Sequence, residues 1–253
     1  MARKRNSRRH HRRSRFAFLY KLLTVLAICA VIVVAMTLFF KVGTIVVDGN
    51  GRYTDQEVEE ASGVRTGDNL LLLNKYAVDR RLREQLPYIE DIHISRKLPD
   101  TLLVEVTEFT TTYALPRGEM VWLMSGTGKI VDACTAEEAE GLPAIDGLDL
   151  PELAVGVWIG DLDAENTFQR ESLLELLKAL EAADTVDQVQ AIHLDSAAEL
   201  VMDYADRFAV KMPYGADYDK MLLFVRTVMD TLETNETGVI DLTTEGEAHV
   251  QKD

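Results

Sequence analysis

From Leu22 to Phe40 the chain runs for nineteen residues without a charged side chain, and no other feature restricts its fold so strongly. A bilayer accepts such a run as a helix, because a helix satisfies its own backbone donors and acceptors. At 1.5 Å per residue it would extend about 28 Å, close to the thickness of a hydrocarbon core. Phe16, Phe18 and Tyr20 form an aromatic shoulder on its N-terminal side, and Lys21 is placed to snorkel. The competing reading is a cleaved signal peptide. The length of the run argues against it, as do Met36, Leu38, Phe39 and Phe40, which stand where a cleavage site needs small residues.

Charge is divided about this span. Ten of the 27 basic residues and none of the 42 acidic ones fall in residues 1–41, leaving 17 basic against 42 acidic beyond. Eight of the ten lie between Arg3 and Arg15. A run of like charges repels itself and buries no core, so residues 1–15 are expected to be disordered. Basic runs also bind nucleic-acid phosphate. Beside a membrane span, however, the reading is a topology signal in contact with anionic lipid, with no nucleic acid as partner. The positive-inside rule then keeps residues 1–21 in the cytoplasm, makes 22–40 the transmembrane helix and puts everything after Lys41 outside. Cys29 lies inside the span and Cys134 outside it. They cannot pair with one another, and a zinc site built on cysteines is excluded within one chain.

The residues beyond Lys41 suffice for two modest domains. Thr44 to Val47 is a short β-branched run closed by Asp48-Gly49-Asn50-Gly51. Thr54 with Glu57 makes a capping box, opening a helix through Val58 and Ala61 that stops at Gly63. Val78, Leu82 and Leu86 mark a second helix ended by Pro87. Ile92 and Ile94, then Leu102, Val104 and Val106, alternate with polar neighbours as two strands joined through Lys97-Leu98-Pro99-Asp100. The order β-α-α-β-β puts two helices on a small sheet.

Further strands are expected at Thr110–Leu115, Met120–Met124 and Lys129–Asp132, separated by Pro116-Arg117-Gly118 and Ser125-Gly126-Thr127-Gly128. Residues 134–163 read as loop, with Pro143, Gly147, Pro151, Gly156 and Gly160. A helix follows from about Glu165 to Ala183, then strands at Val189–Leu194, Glu199–Tyr204 and Phe208–Met212. A last helix covers Asp217–Glu233, with Met221, Val225, Val228 and Leu232 on one face, ahead of a strand at Val239–Leu242 and a further short strand at Glu247–Gln251. The fold class is α+β: one N-terminal transmembrane helix, a β-α-α-β-β domain, and a mixed β domain with two helices.

No GxSxG elbow, phosphate-cradling glycine loop or HExxH occurs, and His93, His193 and His249 each stand alone in the sequence. Glu57-Glu59-Glu60 and Glu137-Glu138-Glu140 read as solvated faces. A glycosidase pair instead needs two carboxyls fixed about 5 to 9 Å apart across a cleft. No catalytic residue, metal or cofactor is expected.

The block Phe40–Glu108 carries VDGN at Val47–Asn50, SGVRTGDNLL at Ser62–Leu71 and LPYIEDIHISRKLPDTLLVEV at Leu86–Val106. In that order and spacing it resembles the POTRA domain of the bacterial cell-division family DivIB/FtsQ. LPAIDG at Leu142–Gly147, and later Gly215, Lys220 and Ile240-Asp241-Leu242, resemble the family's larger β domain; Pro213-Tyr214 before Gly215 and Thr243 after Leu242 depart from it. The resemblance implies a POTRA domain at 41–109, a β domain at 110–242 and a tail at 243–253. It implies an anchored, non-enzymatic scaffold, enriched at the division septum. Its partners would be small single-span coiled-coil proteins of the FtsL and DivIC/FtsB type and, indirectly, the septal peptidoglycan synthase. A short C-terminal strand at a sheet edge can accept a strand from another chain. Val239, Ile240, Asp241 and Leu242 are the candidate pairing strand and Ala248 and Val250 its extension, against the alternative that they are ordinary sheet core. A POTRA-containing assembly or secretion factor and an anchored envelope enzyme are the rival functions. The first would need several POTRA domains and many amphipathic barrel strands; the second, paired carboxylates or a metal cluster in a cleft.

Overall fold

A computed structural model of the chain describes residues 11–49, 51–110, 112–162, 166–244 and 248–252. Helix α1 runs His11–Phe39, and within it Phe18–Phe39 is long and apolar enough to cross a membrane, with none of that stretch buried. Residues 11–15 are therefore helical where disorder was expected: once the apolar helix is nucleated, each added residue gains a backbone bond at little cost. The expectation for residues 1–10 lies outside the described residues. The chain divides into two compact units, Met1–Leu82 with Ile92–Val106, and Arg83–Asp91 with Thr107–Asp253.

The first unit holds β1 (Thr44–Asp48), α2 (Asp55–Ser62) and the greater part of α3 (Lys75–Gln85), β2 (Ile89–Lys97) and β3 (Thr101–Glu108), in the sheet order β1-β3-β2. α2 starts where the sequence marks it. The Thr54 hydroxyl accepts from the Glu57 N–H at 3.3 Å, and the Glu57 carboxylate accepts from the Thr54 N–H at 2.8 Å. It ends at Gly63, whose φ of 66° is left-handed and whose N–H donates to the Glu60 carbonyl. β3 runs parallel to β1, Thr101 opposite Thr44 and Glu105 opposite Asp48. Being central, it buries Leu103 as well as Leu102, Val104 and Val106, which join Val58, Val78 and Leu82 in the core.

The second unit is one nine-stranded sheet. Its strands are β4 (Thr112–Arg117), β5 (Met120–Ser125), β6 (Ile130–Cys134), β7 (Ala144–Asp146), β8 (Val189–His193), β9 (Glu199–Tyr204), β10 (Phe208–Pro213), β11 (Gly238–Asp241) and β12 (His249–Lys252), in the order β12-β11-β10-β9-β8-β7-β4-β5-β6. Helices α4 (Thr167–Ala182) and α5 (Tyr218–Thr231) cover one face. Leu173, Leu176, Leu177 and Leu180 of α4 meet Leu200, Met202, Phe208, Val210 and Ile240 there in a continuous core. Residues between these on the strands face the other way and are largely polar: Asp146, His193, Asp203, Lys211 and Asp241.

Two differences from the sequence expectations affect the site. Residues 134–163 are not all loop: Ala144–Asp146 is a strand, parallel to β4 through Ala114 and to β8 through Ala191, Ile192 and His193. Three residues are too few to display a period. Their strand character comes from neighbours about 30 and 47 positions away. β4 continues through Pro116 and Arg117, opposite Val121 and Met120 of β5. Proline is tolerated because β7 pairs with β4 only at Ala114, so Pro116 has no second ladder to serve. On α5 the expected apolar stripe is centred on buried Val225 and Leu222, while Met221, Val228 and Leu232 are partly buried.

Candidate functional site

The six candidate residues fall at one end of the large sheet. β11 pairs parallel with β10, from Gly238 opposite Phe208 to Asp241 opposite Lys211, and antiparallel with β12, from Gly238 opposite Lys252 to Asp241 opposite His249. Val239, Ile240 and Asp241 thus lie in an interior strand, not an open one. Ile240 is fully buried, and Leu242 donates its N–H to the Lys211 carbonyl at 3.0 Å with its side chain in the core. The outer strand is β12, with Ala248 just before it and Val250 at its middle, both partly buried against the core. Sequence favoured Val239-Ile240 because two β-branched residues make a visible strand, whereas His-Val-Gln-Lys carries one. The expected start of this strand at Glu247 lies outside the described residues.

Local chemistry brings β12 to its place. Gly238 has φ 150°, and a Cβ there would stand 2.0 Å from the Gln251 carbonyl oxygen, so only glycine lets β12 approach. The Asp241 carboxylate accepts from the Thr243 hydroxyl at 2.6 Å and from the Thr243 N–H at 2.9 Å, which orients the turn out of β11 and holds this carboxyl below the usual carboxylate range. Lys252 Nζ lies 2.5 Å from Glu236 Oε1, joining the end of β12 to the turn before β11.

The two ends of the sheet differ. At β6 the 156–157 segment covers the edge: Ile130 donates to the Val157 carbonyl at 2.8 Å and Gly156 donates to the Ile130 carbonyl at 2.7 Å. On the outer side of β12 no strand pairs among the described residues. Nearby, an open groove of about 540 Å³ is bordered by Tyr214, Lys220, Met221, Phe224, Leu242 and Thr243. Leu223 and Phe224 of α5 are 65% and 50% exposed. Asp217 caps this helix by accepting from the Lys220 N–H, and its carboxylate holds Lys220 Nζ at 2.5 Å, raising the lysine above its ordinary pKa. The groove is lined from α5, the end of β10 and the segment after β11; the exposed edge of β12 is itself suited to strand addition, the main chain supplying affinity and alternate side chains specificity.

A second grouping has no counterpart in the sequence pattern, where His193 stands alone. His193 Nδ1 lies 2.8 Å from Asp146 Oδ1 and Nε2 lies 3.2 Å from Asp203 Oδ2. The three come from β7, β8 and β9, with Asp146 directly opposite His193. Burial disfavours charge on the ring, but the hydrogen bonds and charges of the two carboxylates outweigh it and raise the pKa above the ordinary 6.5. Asp195 completes the group, one ligand-type atom each from Asp146, His193 and Asp195 lying within 4.8 Å of one another. Forty-seven positions separate Asp146 from His193, and only the parallel pairing of β7 with β8 joins them. His93, by contrast, is exposed on β2.

Comparison with known proteins bears on both units. Residues 40–109 match the model of the POTRA domain, FtsQ-type. The chain is 24% identical over 210 residues to the cell division protein FtsQ of Novosphingobium aromaticivorans, a match covering 73% of this chain and 65% of that protein's length. It is 22% identical over 222 residues to the cell division protein DivIB of Clostridium acetobutylicum, covering 87% of this chain and 86% of the relative. A shorter match to the cell division protein FtsQ of Streptomyces bingchenggensis reaches 37% over 70 residues, 28% of this chain and 26% of the relative.

Proposed function

We propose that this chain, which belongs to the DivIB/FtsQ family of bacterial cell-division proteins, is a membrane-anchored divisome scaffold and not an enzyme. Its α1 helix holds it in the cell membrane with the N-terminus cytoplasmic and both compact units outside. It gathers at the division septum. There the large sheet takes a strand from small single-span coiled-coil proteins of the FtsL and DivIC/FtsB type, and the complex helps recruit and regulate septal peptidoglycan synthesis.

The observation that carries this reading is the asymmetry of the nine-stranded sheet: β6 is covered by residues 156–157, while β12 is left without a neighbouring strand among the described residues. Natural sheets cover or blunt edges that are not used, because unpaired N–H and C=O groups invite other strands. The rival anchored enzyme draws on the Asp146–His193–Asp203 group. Each ring nitrogen of His193 faces a carboxylate, at 2.8 and 3.2 Å, and not a serine, threonine or cysteine that it could activate.

The test is co-purification of the full chain, in detergent, with the host's two single-span coiled-coil division proteins, beside Val250→Asp. Circular dichroism and the thermal transition check that the variant folds. Capture by the parent and a loss of at least tenfold in the folded variant are the expected results. A parent chain that captures neither protein, or a variant that binds equally well, would remove the edge from the mechanism.

A further inference from the structure

We propose that Asp146, His193 and Asp195 form a binding site for one divalent transition-metal ion of the zinc type, which would fasten β7 to β8 on the helix-free face of the large sheet. The donor set, one imidazole and two carboxylates, suits borderline ions such as Zn²⁺ better than Mg²⁺ or Ca²⁺, which take oxygen ligands.

Geometry supports the assignment. The 2.8 Å between His193 Nδ1 and Asp146 Oδ1 is a hydrogen-bond distance; an ion about 2.1 Å from each would replace the proton between them and open the pair to about 3.4 Å in a tetrahedral site. Asp195 offers its carboxylate to the same point, all three ligand atoms falling within 4.8 Å of one another. A small rotation of the half-exposed aspartates brings them within reach of a common ion. The other ring nitrogen is already held by Asp203 at 3.2 Å. A metal-binding histidine is typically oriented through its second nitrogen by a carboxylate, so this is the supporting contact such a site needs.

Two further features belong to the site and not to a simple ion pair. Asp146, Asp195 and Asp203 bring three carboxylates around one histidine, and no lysine or arginine pairs with any of the four among the described residues. A divalent cation would neutralise that concentration of charge. Gly147 follows Asp146 with φ 75°, and a Cβ there would stand 2.4 Å from the Asp195 nitrogen and 2.8 Å from Asp195 Oδ1. Glycine at this position is what allows Asp195 to sit beside Asp146. An open groove of about 760 Å³, walled by Asn166, Phe168 and Gln169 at the start of α4, borders Gly147 and Asp195, so of the three ligands Asp195 is the one that meets solvent there.

The experiment is titration of the full-length chain in detergent with Zn²⁺, with Mg²⁺ and Ca²⁺ in parallel. Calorimetry follows binding, and Co²⁺ absorption reports coordination. One Zn²⁺ per chain is expected, reversed by a chelator, with the unfolding midpoint rising by about 5–10 °C at a hundredfold excess over Kd. His193→Gln and Asp195→Asn should each lower affinity at least tenfold, and Asp203→Asn about tenfold or more through the ring it orients. Asp149→Asn, on the same groove but outside the ligand set, should bind as the parent does. Asp195 is exposed, so its variant keeps the test open if the His193 variant does not fold. Absence of binding up to millimolar Zn²⁺ would overturn the proposal. So would full retention in both ligand variants, which would point to His10 and His11 near the N-terminus, or equal binding of Mg²⁺.

Discussion

Replacing Lys129 by methionine should make the protein more stable at neutral pH. Lys129 sits just before β6 and is only 3% exposed. Burial, and then the charge of Arg83, lower its pKa from 10.5 to about 8. At about 1.36 kcal/mol per pKa unit, that difference amounts to about 3 kcal/mol against holding the ammonium in the fold at pH 7. The contacts it gains are weak: a 3.5 Å bond to the Ile89 carbonyl and the Trp158 ring at 6.0 Å from its centroid. Together these return about 1 kcal/mol. Methionine keeps the length of the chain and fills the same space, so Lys129→Met should gain about 1–2 kcal/mol at pH 7.

The sign with pH follows from linkage. Between about 8 and 10.5 the unfolded chain binds more protons at this position than the folded one, so the parent's stability rises with pH across that window. The variant lacks that rise, and its advantage should shrink steadily above pH 8. Urea unfolding of the full-length chain in detergent, followed by tryptophan fluorescence, measures both. The chain's two tryptophans, Trp122 and Trp158, both lie in the second unit. A variant less stable than the parent at pH 7, or a difference that stays constant from pH 7 to 10, would refute the reasoning.

Three other changes probe the elements that build the site. Gly238→Ala sets a Cβ 2.0 Å from the Gln251 carbonyl oxygen; it should cost more than about 1 kcal/mol and speed amide exchange in His249–Lys252, and unchanged exchange there would count against the pairing of β12 with β11. Ile240→Ala empties a fully buried position in β11 and should cost about 2–5 kcal/mol in urea unfolding; a loss below about 1 kcal/mol would mean the core does not reach this strand. Thr54→Ala removes one half of the capping box on α2 and should cost about 1 kcal/mol in a thermal melt, with Thr54→Ser restoring most of it; a neutral Thr54→Ala would place the helix start elsewhere.

Features written in neighbouring residues are legible in the amino-acid sequence itself. The uncharged run that forms α1 is a matter of composition over some twenty positions. The capping box of Thr54 and Glu57 spans three. The alternation of Leu102, Val104 and Val106, and of Leu200, Met202 and Tyr204, follows from the two-residue period of a strand beside a buried face. Such signals are local because backbone geometry repeats every two or 3.6 residues, and the side chains that declare it stand together in sequence.

Tertiary structure alone decided which strand is the edge. Val239-Ile240 reads as a strand from its own residues, yet whether β12 closes on it depends on Gly238 and Gln251 meeting across the ladder. The same holds for β7, three residues made a strand by partners on either side. It holds also for His193, whose neighbours Asp146 and Asp203 arrive on separate strands. Pairing between strands is set by packing of the whole sheet against α4 and α5, a long-range condition that no short stretch of chain encodes.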